Sequence, residues 1–177
     1  GFYVDATQAP WAAHFRMETY VTQDLLAALS ELPLDPERRG LFGHSMGGHG
    51  ALTLALRHPD LFRSVSAFAP IASPTRCPWG EKAFTAYLGV DRRVWAAHDA
   101  ARLIETGTAA GRFDDILVDQ GSDGQFLTEQ LKPELLEQAC EAAGQRLTLR
   151  MQPGYDHSYF FIASFVEEHV AWHAARL

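Results

Sequence analysis

Apolar residues along this chain follow either the two-residue spacing of strands or the 3.6-residue spacing of helices. Short apolar runs bounded by Gly or Pro predict four strands, at 38–42, 64–69, 115–119 and 146–152. Helical spacing predicts four helices, at 24–32, 51–58, 134–143 and 158–175. Because strands alternate with helices, we expect a mainly parallel sheet with helices on both faces.

The segment Gly43-His44-Ser45-Met46-Gly47 lies between the first predicted strand and the helix that follows it. It fits Gly-x-Ser-x-Gly, the turn that lifts a nucleophilic serine out of an α/β-hydrolase sheet. Such a turn is tight, and we expect the positions two before and two after the serine to carry almost no side chain, which Gly43 and Gly47 satisfy. The strand, turn and helix therefore predict Ser45 as the nucleophile of a single α/β-hydrolase domain over residues 1–177.

Composition excludes several classes of function. The 177 residues carry a net charge of -7, with a pI near 5.5 and no basic run longer than two arginines, so we expect no nucleic-acid partner. No apolar run has the length of a membrane span, and we expect a cytoplasmic protein with no membrane partner. Cys77 and Cys140 are too few for a disulfide framework or a zinc site. We expect no metal and no cofactor. The sequence does not decide whether the protein forms a homodimer.

An active serine needs an imidazole base, and that imidazole needs a carboxylate to fix its tautomer. The chain order of this fold is serine, acid, histidine, which leaves His157, His169 and His173 as candidate bases. His157 follows the last predicted strand at its carboxyl end, where ligands bind in open α/β sheets, so we predict it as the base. A histidine in an ordinary helix-starting loop is the alternative. His169 and His173 have no third metal ligand, and we expect them on a solvated helix face.

The acid is expected in the loop after the strand at 115–119, where Asp119 and Asp123 are candidates. We favour Asp123 in that loop, and Asp119 at the strand's carboxyl edge is the alternative. The oxyanion formed on attack needs two donors, and the backbone N–H of Met46 at the start of the helix supplies one. Too few elements precede Ser45 to supply the second donor, so we expect the sheet to lack its amino-terminal strands.

Residues 71–112 contain more Pro, Gly, Trp and short helical pieces than their surroundings. Long insertions of this kind often cover active sites. We therefore expect this segment to lie near the active site, with inert packing as the alternative.

With these residues in place, the chain resembles the S-formylglutathione hydrolase family, also called the esterase D family, over its whole length. The similar segments are 1–7, 20–22, 42–52, 64–71, 77–80, 119–121, 125–127 and 154–159. The resemblance implies an α/β-hydrolase that cleaves S-formylglutathione to formate and glutathione, the last step of glutathione-dependent formaldehyde removal, and that also acts on small aryl esters. It implies Ser45 as nucleophile and His157 as base.

The chain departs from that family in two respects. Proteins of the family begin well upstream of Gly1, so this chain resembles roughly their carboxyl-terminal two-thirds and is expected to be a fragment. The family's acid corresponds to Gly124, with Asp123 one residue earlier, which implies a one-residue shift of the loop or an impaired acid.

The resemblance also implies that residues 77–89 wall the acyl and glutathione site, with packing as the alternative for Trp79. Two other functions stay open. One is a broad small-ester carboxylesterase or acyltransferase that uses the same residues. The other is a non-catalytic α/β-hydrolase-like binding or dimerisation module.

Overall fold

The computed structural model describes residues 1–107 and 111–177. Its sheet has four parallel strands in the order β1 (Gly40–His44), β2 (Ser64–Phe68), β3 (Ile116–Gly121) and β4 (Leu147–Gln152). Each predicted strand is present, with its ends shifted by at most two residues. The predicted parallel sheet is confirmed, and its strands end along one edge, where Ser45 and the loops after β3 and β4 lie.

Eight α-helical segments connect or flank these strands within the described residues. They are α1 (Met17–Thr19), α2 (Leu25–Leu29), α3 (Met46–Arg57), α4 (Pro78–Leu88), α5 (Arg92–Trp95), α6 (Ala100–Glu105), α7 (Pro133–Ala143) and α8 (Tyr159–Ala174). A π-helical stretch, Tyr20–Asp24, joins α1 to α2, so the helix predicted to begin at residue 24 begins at Met17. In the described ranges, no helix is long and apolar enough to span a membrane.

The two faces of the sheet pack against different helices. On one face, Val65 and Val118 lie in a cluster with Leu52 of α3, Ile104 of α6 and Leu136 of α7. Burying one such aliphatic side chain stabilises the fold by about 2 kcal/mol. On the other face, the core cluster joins Phe68 of β2 to Phe161 of α8. The prediction of helices on both faces is confirmed.

The expectation for His169 and His173 is wrong, because both side chains lie under α8 against the sheet and not in solvent. His173 Nδ1 and Nε2 lie 2.7 Å and 2.8 Å from the hydroxyl oxygens of Ser64 and Ser66. These small serines of β2 leave room for an imidazole and provide its hydrogen-bond partners, so polar residues of α8 face inwards.

The segment expected to lie near the active site contains α4, α5 and α6, while residues 108–110 within it lie outside the described residues. Phe84 and Trp95 of this segment are buried in the same core cluster as Phe68. Part of the segment is therefore ordinary core packing, and its α4 surface walls a cavity beside Met46.

Candidate active site

Ser45 occupies the turn between β1 and α3 in a strained backbone conformation, with φ 57° and ψ -118°. Its N–H donates to the carbonyl of Phe68 over 2.9 Å, and its carbonyl accepts from the N–H of Ile71 over 3.3 Å. A residue other than glycine in such a conformation costs about 1–3 kcal/mol and persists where its surroundings hold it. Strain of this kind at a strand-to-helix turn is the signature of a nucleophile elbow.

The glycines around Ser45 differ in what they allow. A Cβ at Gly43 would lie 2.3 Å from the carbonyl oxygen of Gly47, so this position requires glycine. A Cβ at Gly47 would meet only Tyr3 Oη, at 3.6 Å, which is an ordinary contact. A Cβ at Gly48 would approach Pro70 to 3.0 Å. Gly43 therefore has no room for a side chain, whereas Gly47 has room for a small one, and a Cβ at Gly48 would need Pro70 to shift slightly.

His157 lies in the loop between β4 and α8, half-buried beside the elbow. Its ring centroid is 4.4 Å from that of His44, the residue before Ser45, and 5.5 Å from that of Phe126. Burial lowers the pKa of His157, and the negative charge of Asp156 opposes this effect. The base predicted from sequence thus packs on the residue before the predicted nucleophile, and its environment favours the neutral form that accepts a proton.

Asp123 lies in the loop after β3, on a cavity of about 420 Å³ that His157 and Phe126 also line. Its N–H donates to the carbonyl of Tyr155 over 2.9 Å, and its carboxylate accepts a hydrogen bond of 2.6 Å from Ser122. Within the described residues, His157 Nδ1 is buried and has no hydrogen-bond partner. The structure places Asp123 and His157 at one cavity without a hydrogen bond between them.

Gly124 packs directly on His157, since a Cβ at this position would lie 3.7 Å from His157 Cβ. This is an ordinary contact distance, so a side chain fits at Gly124 beside the imidazole. The departure at Gly124 implied either a shifted loop or an impaired acid. A shifted loop would bring the Asp123 carboxylate to His157. In the structure, this carboxylate instead accepts a hydrogen bond from Ser122.

The alternative acid, Asp119, lies inside β3 and is fully buried. Its carboxylate accepts hydrogen bonds from His169 Nε2 over 2.8 Å, from Gln152 over 2.7 Å, and from both Arg150 Nε and an Arg150 terminal nitrogen. Burial would raise the pKa of Asp119, but the hydrogen bonds from His169, Arg150 and Gln152 outweigh burial and lower it. Asp119 is therefore bound to His169 and not to His157.

An apolar cavity of about 400 Å³ lies next to Met46, the first residue of α3. Phe2, Trp79 and Tyr87 line it, and Lys82 of α4 contributes a charged side chain. Trp79 is 37% exposed, and its ring lies 4.8 Å from that of Phe126. The α4 wall thus extends from the expected oxyanion donor, Met46, towards the aromatic ring that packs on His157.

Sequence reasoning missed His44 as a member of this site. It occupies a variable position of the Gly-x-Ser-x-Gly motif, where the pattern itself demands no chemistry. The only signal was its place beside Ser45, at the carboxyl end of β1. In the described part of the chain, no group of three or more His, Cys, Asp or Glu side chains is arranged to hold a metal ion.

Comparison with known proteins gives consistent matches. Residues 1–172 match the family model described as "Putative esterase". The S-formylglutathione hydrolase of Paracoccus denitrificans (strain Pd 1222) is 54% identical over 178 residues, and that of Mus musculus is 50% identical over 179 residues. Both alignments cover 100% of this chain, but 62% and 63% of the relatives, so the chain spans less than two-thirds of their length.

Solved structures agree with these sequence matches. An S-formylglutathione hydrolase from Agrobacterium tumefaciens superposes with a TM-score of 0.95 at 48% identity, covering 99% of this chain and 63% of that one. A ferulic acid esterase superposes with a TM-score of 0.74 at 20% identity, covering 99% and 64%, which shows the shared fold alone. The predicted family resemblance and the α/β-hydrolase fold are confirmed.

Proposed function

Because the chain belongs to the esterase family, we propose that it carries the catalytic serine and histidine of an enzyme that hydrolyses S-formylglutathione to formate and glutathione. The observation that supports this most is the strained conformation of Ser45, at the end of β1 and beside the His157 loop. Backbone strain at a serine lowers stability, and a non-catalytic module would gain nothing in exchange for that loss. The names of the similar proteins supply the substrate.

In the proposed reaction, Ser45 Oγ attacks the thioester carbonyl carbon while His157 accepts the hydroxyl proton. The carbonyl oxygen becomes an oxyanion, and the N–H of Met46 at the start of α3 stabilises it. As the carbon–sulfur bond breaks, the proton on His157 passes to the glutathione sulfur, and a formyl group stays on Ser45. Water, deprotonated by His157, then attacks the formyl carbon. The bond from that carbon to Ser45 Oγ breaks, His157 returns the proton to Oγ, and the formic acid that leaves ionises to formate.

We assign the role of the acid to Asp123. Its support is position, since Asp123 follows β3 and lines the same cavity as His157. Asp119 is already occupied by His169, Arg150 and Gln152. In the reacting complex, the Asp123 carboxylate would exchange the Ser122 hydroxyl for His157 Nδ1, which has no partner in the described residues.

The cavity beside Met46 is where we propose that substrate binds. Its wall is mostly apolar, and a wall of this kind close to the nucleophile favours a small acyl group by excluding larger ones. Lys82 is the charged side chain at this wall, and its charge is opposite to that of the glutathione carboxylates. The α4 segment would then determine substrate size.

Steady-state kinetics test this function against a broad carboxylesterase or acyltransferase. We expect kcat/KM for S-formylglutathione to exceed that for p-nitrophenyl acetate. A preference for the aryl ester of more than about tenfold, equivalent to about 1.4 kcal/mol in the barrier, would contradict the thioesterase proposal. Formyl transfer to an added thiol or alcohol in preference to water would favour the acyltransferase.

We also propose a cytoplasmic location and a role in formaldehyde removal. Cys77 and Cys140 are both free and buried, as expected in a reducing compartment. Recovery of the protein in an envelope or extracellular fraction would contradict this location. Sedimentation equilibrium decides between a monomer and a homodimer.

A further inference from the structure

The orientation of His157 has an unusual basis in this structure. An imidazole base normally donates from Nδ1 to a carboxylate, which fixes both its tautomer and its direction. Here, within the described residues, Nδ1 of His157 is buried without a partner, and the Asp123 carboxylate accepts from Ser122. Gly124, which packs against His157, has no side chain to offer. Other contacts must therefore hold the ring in place.

Two aromatic rings contact His157 from different elements. The His44 ring is tilted by 39° at a centroid distance of 4.4 Å, which is close to stacking. The Phe126 ring meets His157 edge-on, at 5.5 Å and 84°. Aromatic pairs in these arrangements contribute about 0.5–1.5 kcal/mol beyond the area that they bury. The imidazole is thus held by packing on two rings.

His44 is well placed to transmit the position of Ser45 to His157. It is the last residue of β1, and it pairs in register with Phe68 of β2. The next N–H along the chain, that of Ser45, donates to the carbonyl of the same Phe68. The nucleophile and the ring that packs on the base are therefore fixed to one point of the sheet.

The charge state of His44 suits this packing role. Its Nε2 is buried without a hydrogen-bond partner in the described residues. Burial, and secondarily the positive charge that His157 can carry, lower the pKa of His44 to about 4. Asp156 and Asp123 are the acidic groups at the His157 cavity, and Tyr159 of α8 lies 6.3 Å from the His44 ring. His44 is therefore neutral when His157 takes up a proton.

We propose that His44 is a positioning residue, whose neutral ring holds the His157 imidazole beside the nucleophile elbow before the Asp123 carboxylate engages Nδ1. The inference rests on the proposed role of His157 as the base. It predicts that catalysis needs a flat ring at position 44 and does not need the nitrogen atoms of that ring. It also predicts that a new carboxylate beside His157 reduces the need for His44.

The test compares His44→Phe, which keeps a flat ring, with His44→Ala, which removes it. We expect His44→Ala to lower kcat by about tenfold to a hundredfold with KM nearly unchanged, because a misplaced base affects the chemical step. His44→Phe should keep kcat within about threefold of wild type. Equal kcat for wild type and His44→Ala would overturn the proposal, as would an equally large loss in both variants.

A rescue experiment separates positioning from a folding defect. Gly124→Asp has room for its Cβ and adds a carboxylate beside His157. In the His44→Ala background it should recover about tenfold in kcat. It should also raise the pKa of His157, measured by NMR of its ring protons, because a carboxylate favours the imidazolium. An unchanged kcat and pKa on adding Gly124→Asp would contradict the inference.

His157→Ala distinguishes failure of this inference from failure of the proposed function. Full activity in His157→Ala would reject His157 as the base, and with it both proposals. Lost activity in His157→Ala together with full activity in His44→Ala would reject the role of His44 alone. Thermal melting of each variant verifies that the compared proteins are folded.

Discussion

Two sets of serine, histidine and aspartate side chains among the described residues differ in their bonding, and one of the two is hydrogen-bonded in the manner of a catalytic triad. In the buried set under α8, Ser66 Oγ lies 2.8 Å from His169 Nδ1, and His169 Nε2 lies 2.8 Å from an Asp119 carboxylate oxygen. In the set at the strand ends, Ser45, His157 and Asp123 share no hydrogen bond within the described residues. By bonding alone, the buried set would be the better candidate.

Burial and backbone strain reverse that conclusion. Ser66, His169 and Asp119 are each 0% exposed, so no substrate can reach them. Their histidine is also reversed relative to a working triad, where Nε2 faces the serine and Nδ1 faces the acid. Ser45 is partly exposed and strained, as a nucleophile requires. Complete hydrogen bonding in a buried set indicates a structural role, whereas a strained serine beside a base without a partner indicates chemistry.

Removing the two serine hydroxyls gives the largest contrast. Ser45→Ala should reduce hydrolysis to below about one thousandth of wild type without loss of stability, because nothing nearby replaces the alkoxide. Ser66→Ala should keep the activity of folded protein but lower the free energy of unfolding by about 1–3 kcal/mol, since His169 and His173 lose a buried partner.

Esterase assays and urea unfolding of both serine variants check this prediction. Inactive but fully stable Ser66→Ala would exchange the roles of the two sets.

The two aspartates give the next contrast. Asp123→Asn should lower kcat by about a hundredfold or more, because an amide cannot balance the charge of the His157 imidazolium. Asp119→Asn should leave kcat of the folded protein unchanged and reduce stability, since it weakens the hydrogen bonds from Arg150 and His169. Kinetics on protein of verified fold separate the outcomes, and the opposite result would make Asp119 the acid.

The pH dependence of stability gives a smaller effect, to which His173 contributes beside the buried set. Burial lowers the pKa of His173 to about 4, from an ordinary value of 6.5. Between these values the unfolded chain binds a proton at His173 that the folded chain does not, so stability falls as pH drops below 6.5. From pH 7.5 to 5.0, His173 should account for a loss of about 2 kcal/mol.

Urea unfolding at both pH values measures this loss. His173→Gln should show a smaller change between the two pH values than wild type. His14→Gln, which alters an exposed histidine, is the matched control and should show the wild-type change. An equal change in His173→Gln and wild type would contradict the assignment.

Local patterns predicted the parts of this fold that depend on local chemistry. The turn around Ser45 could be predicted because a strand, a tight turn and a helix leave a fixed spacing of glycines. The strands could be predicted because buried parallel strands are short apolar runs. The burial of His169 and His173 could not, because it depends on serines more than a hundred residues away, on β2. The available signal for this burial was the spacing of Ser64 and Ser66, which lie two residues apart and so share one face of β2.

The sequence predicted candidate site residues but not the contacts between them. The chain order of serine, acid and histidine pointed to Ser45 and His157. In the structure, the His157 ring packs on His44, the residue before Ser45. The hydrogen bond of Asp123 to Ser122, and the contact between His44 and His157, depend on loop conformations set by tertiary packing. Sequence spacing holds no information on either.

Covalent labelling tests most directly whether Ser45, and not the better-bonded Ser66, is the nucleophile. The protein is treated with a fluorophosphonate and digested, and the modified peptide is identified by mass spectrometry. We predict modification of Ser45, none of Ser66, and loss of Ser45 labelling in His157→Ala. A folded protein with no label on Ser45, or with label on Ser66, would contradict the account.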